Sequence, residues 1–360
     1  MSFYAIIMLM DITQAIATFD KHNIFDSIDI QPSHLRLNFA DSMRDDVTRE
    51  WGTGIQNIVF AGMGGSALVP DLLKDWLVAR LSIPMEIVRS YTLPGYINNR
   101  SLVIISSYSG NTEEAEEALD AAVKNNAQIV IMAAAGDLVL AAHNKHHLLL
   151  ELPHVSQPRL SVFAALKALA CLFGDMGLAA DVDLRRELQD VADKLDIAKT
   201  SFNLDVSEEK NIALKLARQL IGKPVLVYAG HSISSAAYKW KININESGKQ
   251  MAFYNVWPEL NHNEMQGWFF PEEKGLTYVA LTTPYEHVRI KKRIEVTHEV
   301  LREHGYDPIV VEARGDTPLE ALLYLVMLGD YVTAFMGILN GIDPTSVDMI
   351  EDFKKKLGRP

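Results

Sequence analysis

The sequence predicts an α/β protein made of two doubly wound parallel-sheet domains in tandem, with a helical N-terminal arm and a C-terminal helix. Three observations predict it. Short runs that are apolar throughout, such as Asn57-Ile58-Val59-Phe60-Ala61-Gly62 and Ser101-Leu102-Val103-Ile104-Ile105-Ser106, alternate with stretches of helical spacing. That is the pattern of parallel strands covered on both faces. The plan also occurs twice: Pro224–Gly230 repeats the first run, Thr277–Leu281 the second, and Pro308–Val311 matches Gln128–Met132. Finally, 360 residues are natural for two domains.

The chain opens with Met1-Ser2-Phe3-Tyr4-Ala5-Ile6-Ile7-Met8-Leu9-Met10. This apolar stretch is too short to cross a bilayer and lacks a basic flank and a small-residue cleavage site. A cytoplasmic location is expected. Met1, Met8 and Met10 are alternative starts, and Asp11 is placed to cap the first helix. Residues 1–55 read as a helical arm. The first α/β domain covers 56–180. In it Leu68, Leu72, Leu73, Trp76 and Leu77 recur at helical spacing after the first strand, and Glu113 to Lys124, rich in Ala and Glu, forms the helix after the second. Residues 181–213 are charged and helix-prone and read as a connector. The second domain covers 214–360, where Ala236, Trp240 and Ile244 mark the first helix and Ser346 to Leu357 an amphipathic closing helix.

Composition is globular, 48% hydrophobic and 22% charged, with a net charge of −12. That charge argues against nucleic acid or an anionic membrane surface as the main partner. An anionic substrate must then be held by local donors. Cys171, within Leu169-Ala170-Cys171-Leu172-Phe173, has no second cysteine to pair with and reads as a buried core thiol.

Ligands of open α/β sheets bind outside the carboxyl ends of the strands. Two loops there have the chemistry of an anion cradle. Ser107-Tyr108-Ser109-Gly110-Asn111-Thr112 joins a strand to the Glu113 helix, offering the hydroxyls of Ser107, Ser109 and Thr112, with Gly110 letting the backbone approach. Gly64-Gly65-Ser66 makes a second such turn after the neighbouring strand. Helix starts present unpaired N–H groups and partial positive charge, so no lysine is needed. The plainer reading makes Thr112 an N-cap and the rest a turn. The equivalent loop of the second half, Thr282-Thr283-Pro284-Tyr285-Glu286, has no glycine and carries an acid. One phosphate site per chain is therefore expected, in the first half.

Gly62-Met63-Gly64-Gly65-Ser66 and Ser107–Thr112 resemble the phosphosugar-binding motifs of the sugar isomerase (SIS) fold, and the tandem duplication fits that fold better than a dinucleotide-binding one. The pair Asn245-Glu246 and Leu260-Asn261-His262-Asn263-Glu264, with Glu246 and His262 sixteen residues apart, is similar to the bifunctional phosphoglucose/phosphomannose isomerase family. So are Gln157-Pro158-Arg159 and the C-terminal helix, and the likeness runs from about Ile58 to Leu357. The resemblance implies interconversion of glucose 6-phosphate or mannose 6-phosphate with fructose 6-phosphate through ring opening and a cis-enediolate. It also implies a homodimer with the active site near the subunit interface, and no metal or other cofactor. It makes Glu246 the base that moves a proton between C1 and C2, His262 and Lys354 the ring-opening residues, and Arg159 the stabiliser of the enediolate. Gly65, Ser66, Ser107, Ser109 and Thr112 would hold the phosphate.

Each residue has a plainer reading when taken alone. Glu246 shares a helix face with Ile242 and Asn243 and reads as a polar helix residue; His262 reads as a hydrogen-bonded structural histidine; Arg159 reads as a surface cation. Lys354 is the one member of Lys354-Lys355-Lys356 on the stripe Val347, Ile350, Lys354, Leu357. Thr345, upstream of it, has no assigned role. His143, His146 and His147 lack a paired carboxylate or cysteine at ligand spacing, so no metal site is expected. Two rival functions stay open: a non-catalytic sugar-phosphate sensor, which would have no use for Glu246 and His262, and an amino-sugar phosphate isomerase.

Overall fold

A computed structural model of the chain describes residues 11–39, 54–145, 147–155, 157–179, 183–270 and 275–358. The three candidate starts at Met1, Met8 and Met10, and His146 of the histidine group, lie outside the described residues. The chain forms two compact units. One is Ile30–Ile197 with Pro318–Glu320; the other comprises the described residues of Met1–Asp29, Ala198–Thr317 and Ala321–Pro360.

The first unit holds a five-stranded, wholly parallel sheet in the order β2-β1-β3-β4-β5, formed by β1 (Asn57–Gly62), β2 (Met85–Val88), β3 (Ser101–Ser106), β4 (Gln128–Ala133) and β5 (Leu148–Glu151). All six residues of β3 are buried, as a central strand covered on both faces requires. One face packs Val59, Val103, Ile105 and Ile131 against Ala115, Ala118 and Ala122 of the helix Glu113–Lys124. The helix Val162–Asp175 is buried along nearly its whole length, with Phe173 stacked on Phe60 at 6.5 Å, and it also packs on the helix Gly64–Leu77. Cys171 lies within it, 2% exposed, and burial pushes its thiol pKa up, as befits a core residue. The helix Leu184–Ala198 buries Leu184, Leu188, Val191, Ala192 and Leu195, one face at helical spacing.

The second unit repeats the plan with four strands. β6 (Val225–Ala229), β7 (Ala252–Val256), β8 (Thr277–Thr282) and β9 (Ile309–Glu312) form a parallel sheet in the order β7-β6-β8-β9. Asp11 does cap the helix Ile12–Phe19, its carboxylate accepting from the Thr13 N–H at 2.8 Å. One face of the sheet carries an aromatic cluster in which Tyr228 meets Tyr278 edge-on at 5.0 Å and Trp257 at 5.5 Å. Such contacts add to the area they bury. His298 is packed there, 7% exposed, beside Tyr278 Oη at 3.3 Å.

The helix Pro318–Leu339 is long and apolar enough to cross a membrane, but its apolar window is entirely buried and it is the core helix of this unit. The helix Ser234–Glu246 lies against it. A Cβ on Gly329 would fall 2.3 Å from Trp240 Nε1, so the glycine is what allows this close approach. Trp240 donates to the Leu325 carbonyl at 2.8 Å. Below it Lys239 and Asp330, both fully buried, pair at 2.6 Å, and Asn243 donates to the same carboxylate. A buried pair of this kind fixes one helix on another more than it stabilises, because desolvation offsets most of the attraction.

The edge strands β2 and β7 answer to no expectation from the sequence. Both are short, and β7 exposes Phe253 and Tyr254, so neither shows the continuous apolar run of a central strand.

Two outcomes follow. Asp330→Ala leaves an ammonium buried without its carboxylate and lowers unfolding free energy by roughly 3–5 kcal/mol; replacing Lys239 and Asp330 together by Met and Leu restores most of it, measured by urea denaturation. Burial, aided by Arg302, lowers the His298 pKa to about 4. The unfolded chain therefore binds a proton below about pH 6.5 that the folded chain refuses until about pH 4. Stability falls as pH drops through that window, by about 3 kcal/mol in all, and His298→Gln removes this part of the slope.

Candidate active site

The two turns predicted as a cradle lie side by side at the carboxyl ends of β1 and β3. Their register is set by the sheet, which pairs Gly62 with Ser106. The turns are then joined directly. Ser66 Oγ accepts from the Tyr108 N–H at 3.2 Å, and Ser106 Oγ donates to the Ser66 carbonyl at 3.2 Å. Thr112 occupies the N-cap position of Glu113–Lys124, yet its side chain makes no capping bond. Its hydroxyl instead bonds Ser107 Oγ at 2.7 Å. The helix Gly64–Leu77 likewise has no side-chain cap. Both helix starts keep their N–H groups free of side-chain capping, which is the condition for an anion to be held there.

Exposure divides the five predicted phosphate residues. Ser109 is exposed, Gly65, Ser66 and Thr112 are half-buried, and Ser107 is buried, with its Oγ also accepting from the Gly110 N–H at 3.2 Å. Ser107 thus builds the loop, and Ser109 is the hydroxyl most open to solvent. Gly110 has a structural reason that differs from the one expected. Its φ is +70°, and a Cβ there would fall 1.7 Å from the Ala135 carbonyl oxygen. The glycine is demanded by the neighbouring loop rather than by a ligand's approach.

Arg159 departs from its reading as a surface cation. It is 3% exposed, within the 3-10 turn Pro158–Leu160. Its Nη1 donates to Gln157 Oε1 at 3.0 Å, and a Cβ on Gly65 would lie 3.5 Å from Arg159 Cα. The arginine backbone is therefore packed against the first turn. Tyr108, which the sequence does not mark out, fixes the segment before it: its Oη accepts from the Val155 N–H at 2.6 Å and donates to the Pro153 carbonyl at 3.2 Å. Gly65, Ser66, Ser107, Ser109, Thr112 and Arg159 thus share one neighbourhood of the first unit.

Glu246, His262 and Lys354 belong to the second unit. Glu246 ends the helix Ser234–Glu246 and is half-buried. The backbone around it is clamped. Lys249, at φ +55°, donates to the Glu246 carbonyl at 2.5 Å and to the Ser346 carbonyl. Asn340 donates to the Gly248 carbonyl at 2.7 Å, and Asn245 accepts from the Ala252 N–H at 2.9 Å. His262 is exposed at the end of the 3-10 turn Glu259–His262, between neighbours that are all engaged. Asn261 donates to Thr297 at 3.0 Å, Asn263 to Glu259 at 2.8 Å, and Glu264 accepts from Tyr228 at 2.5 Å. These bonds hold the turn and leave the imidazole outward. Lys354 lies on Asp348–Leu357, a helix with no buried residue, and pairs with Glu351 at 2.9 Å. The stripe expected to carry it is exposed at Ile350 and Leu357. Thr345 is buried, with its N–H on Asp343 at 2.8 Å.

A separate hollow lies at the edge of the first sheet. A cavity of about 860 Å³ runs along β2, bordered among others by Asp71, Lys74, Glu86, Arg89 and Tyr96. Burial pushes the Asp71 carboxyl up to about 6 although Arg89 is bonded to it. Mixed charge of this kind and the absence of any cradle residue from its walls set it apart from the site.

The comparisons with known proteins cover both units. Residues 54–171 match the SIS domain and residues 209–357 match the bacterial phospho-glucose isomerase C-terminal SIS domain. A bifunctional phosphoglucose/phosphomannose isomerase of Aquifex aeolicus is 31% identical over 315 residues, 87% of this chain and 93% of that one. The chain belongs to the bifunctional phosphoglucose/phosphomannose isomerase family. The Caldicellulosiruptor bescii isomerase of the same family is 32% identical over 306 residues, 84% of this chain and 90% of its own. Among solved structures, a hypothetical protein of Thermus thermophilus superposes with a TM-score of 0.70 at 18% identity, covering 97% of this chain and 94% of that one. Tagatose-6-phosphate ketose/aldose isomerase of Escherichia coli does so with 0.67 at 16% identity, covering 91% and 96%. These two establish the shared SIS fold.

Within this isomerase fold the cradle hydroxyls can be tested directly. Ser109→Ala with Thr112→Ala removes two of the cradle hydroxyls without touching Gly110, and KM for a phosphosugar rises about 10- to 100-fold, on the order of 1–3 kcal/mol for two lost bonds to a charged group. Initial-rate kinetics check this, and thermal unfolding shows the variant folded.

Proposed function

We propose that the chain interconverts glucose 6-phosphate and mannose 6-phosphate with fructose 6-phosphate. The observation that carries this reading is the pair of zipped, uncapped helix starts in the first unit, beside the buried Arg159, in a chain of this family. The phosphate is held by Gly65, Ser66, Ser109 and Thr112, with Ser107 shaping the loop. Neutral donors suffice because helix starts supply partial positive charge where the anion sits.

The chemistry then has three parts. Ring opening needs a proton moved from the anomeric hydroxyl to the ring oxygen; His262, exposed on a braced turn, and Lys354 serve it. Glu246 takes the proton from C2 of the aldose and returns it to C1 of the cis-enediol, the reverse giving aldose. One carboxylate serves both carbons because they are adjacent, so its carbonyl clamp by Lys249 matters more than reach. Arg159 offsets the negative charge that develops on the enediolate oxygens. No metal or other cofactor enters this scheme.

The protein works as a homodimer in the cytoplasm, with the site near the subunit interface. The exposed apolar side chains Met349, Phe353 and Leu357 of the last helix support an association of that kind.

Coupled assays that follow fructose 6-phosphate formation from glucose 6-phosphate and from mannose 6-phosphate test the reading. Turnover of both is expected. Glu246→Gln lowers kcat on the order of 100- to 10,000-fold, the range for a lost acid–base group, while fructose 6-phosphate still binds. A wild-type protein that binds the sugar phosphates and converts neither, or a Glu246→Gln variant with full turnover, sinks it.

A further inference from the structure

The two sheets share one order about their centres, β2-β1-β3-β4 and β7-β6-β8-β9. The turn after β6 therefore corresponds to the turn after β1, and the loop after β8 to the loop after β3. In the first unit these places hold hydroxyls and helix starts without side-chain caps. In the second unit the corresponding place is filled from within. Glu286, in the loop between β8 and the helix Val288–Glu303, is 9% exposed. Its Oε2 accepts from Ser232 Oγ at 2.6 Å, a residue of the turn after β6, and its Oε1 accepts from the His287 N–H at 3.1 Å. A Cβ on Gly230 would fall 1.8 Å from Oε2, so the carboxylate rests directly on the backbone that leads into that turn. The helix start below it is also closed, since His287 Nδ1 accepts from the Arg289 N–H at 3.1 Å.

We propose that Glu286 is a specificity-determining residue, an internal anion that fills the second cradle and confines the substrate phosphate to the first. The inference rests on the reading of the first cradle as the phosphate site. A carboxylate offers acceptor oxygens to the same kind of donors that a phosphate would take. Here it satisfies Ser232 and a loop N–H without a ligand, and it repels any phosphate that arrives. A duplicated fold thereby loses one of two equivalent sites to its own loop, with Glu286 as the group that sits where the anion would. The helix Ser234–Glu246 begins just after this turn, without a side-chain cap of its own, and its far end carries Glu246.

Equilibrium binding of inorganic phosphate tests the proposal on the full chain. Wild type takes up one equivalent. Glu286→Ser, which removes both charge and bulk, takes up a second; Glu286→Gln, whose amide still fills the space, stays at one. A folded Glu286→Ser protein that binds a single equivalent, while Ser109→Ala/Thr112→Ala loses that equivalent, overturns the Glu286 assignment alone. If the Ser109/Thr112 variant keeps it, the first-cradle reading fails, and this inference with it. Hydrogen exchange on the wild-type protein needs no variant. Saturating fructose 6-phosphate protects the loops around 62–66 and 107–113 and leaves those around 230–234 and 283–288 unchanged; protection of both pairs overturns the proposal.

Discussion

The pairing of β1 with β3 is the constraint from which the rest of the site follows. Gly62 stands opposite Ser106, and a Cβ on Gly62 would fall 2.6 Å from the Ser106 carbonyl oxygen, so the strands close only with glycine there. Once they close, the two following turns lie within one hydrogen bond of each other, and Ser66 makes it to Tyr108. Tyr108 in turn reaches the segment at Val155, which leads to Arg159. A chain of backbone-anchored contacts thus fixes three short segments distant in sequence. The links between these segments run through backbone groups and the Ser66 and Tyr108 side chains, so the entropy of assembling the site is lost during folding rather than on binding.

The second unit shows what the same frame does when its opening is not needed. Its strands, order and turns are kept, because burial on both faces demands them whatever the loops do. Its loops have been turned inward: Glu286 onto Ser232, His287 onto Arg289, Tyr285 onto the Gly315 carbonyl at 2.9 Å. The side chains proposed for proton transfer come from elsewhere, from the end of a helix and from a 3-10 turn. There precision is supplied by backbone clamps, Lys249 and Asn340 about Glu246, and by the buried Lys239–Asp330 pair that fixes the same helix.

How far the sequence could be read depends on the physical origin of each feature. Central strands such as Val103-Ile104-Ile105 were legible because double-sided burial leaves an unbroken apolar run. The duplication, the two turns and the helix starting at Glu113 were legible for the same reason, together with glycine and hydroxyl residues at strand ends. β2 and β7 were not, since polar Glu86 and Asn255 interrupt runs of only four and five residues. Arg159 was misjudged when read alone, because its burial comes from packing on Gly65 and from the Tyr108 contact upstream, neither of which is local in sequence. The stripe through Lys354 was read correctly as a stripe, but helical periodicity states only which residues share a face, not whether that face is covered. Glu286 was visible as an acid where a cradle would stand; that it occupies the cradle needed the fold.

The net charge of −12 explains why the donors must be so local. In an acidic protein the mean field repels a sugar phosphate, so binding depends on donors placed within a few ångströms of it, where fixed dipoles outweigh distant charges screened over roughly 8–10 Å. Uncapped helix starts meet that need without raising the field elsewhere. The same logic makes an unused cradle a liability, because a second set of convergent donors would compete for the same anion and hold it away from the proton-transfer groups. Closing it with a carboxylate, rather than with an apolar side chain, gives the Ser232 hydroxyl and the loop N–H an acceptor within the chain. An acid at that position is thus the residue type that both fits the donors left behind by duplication and excludes the ligand they were shaped for.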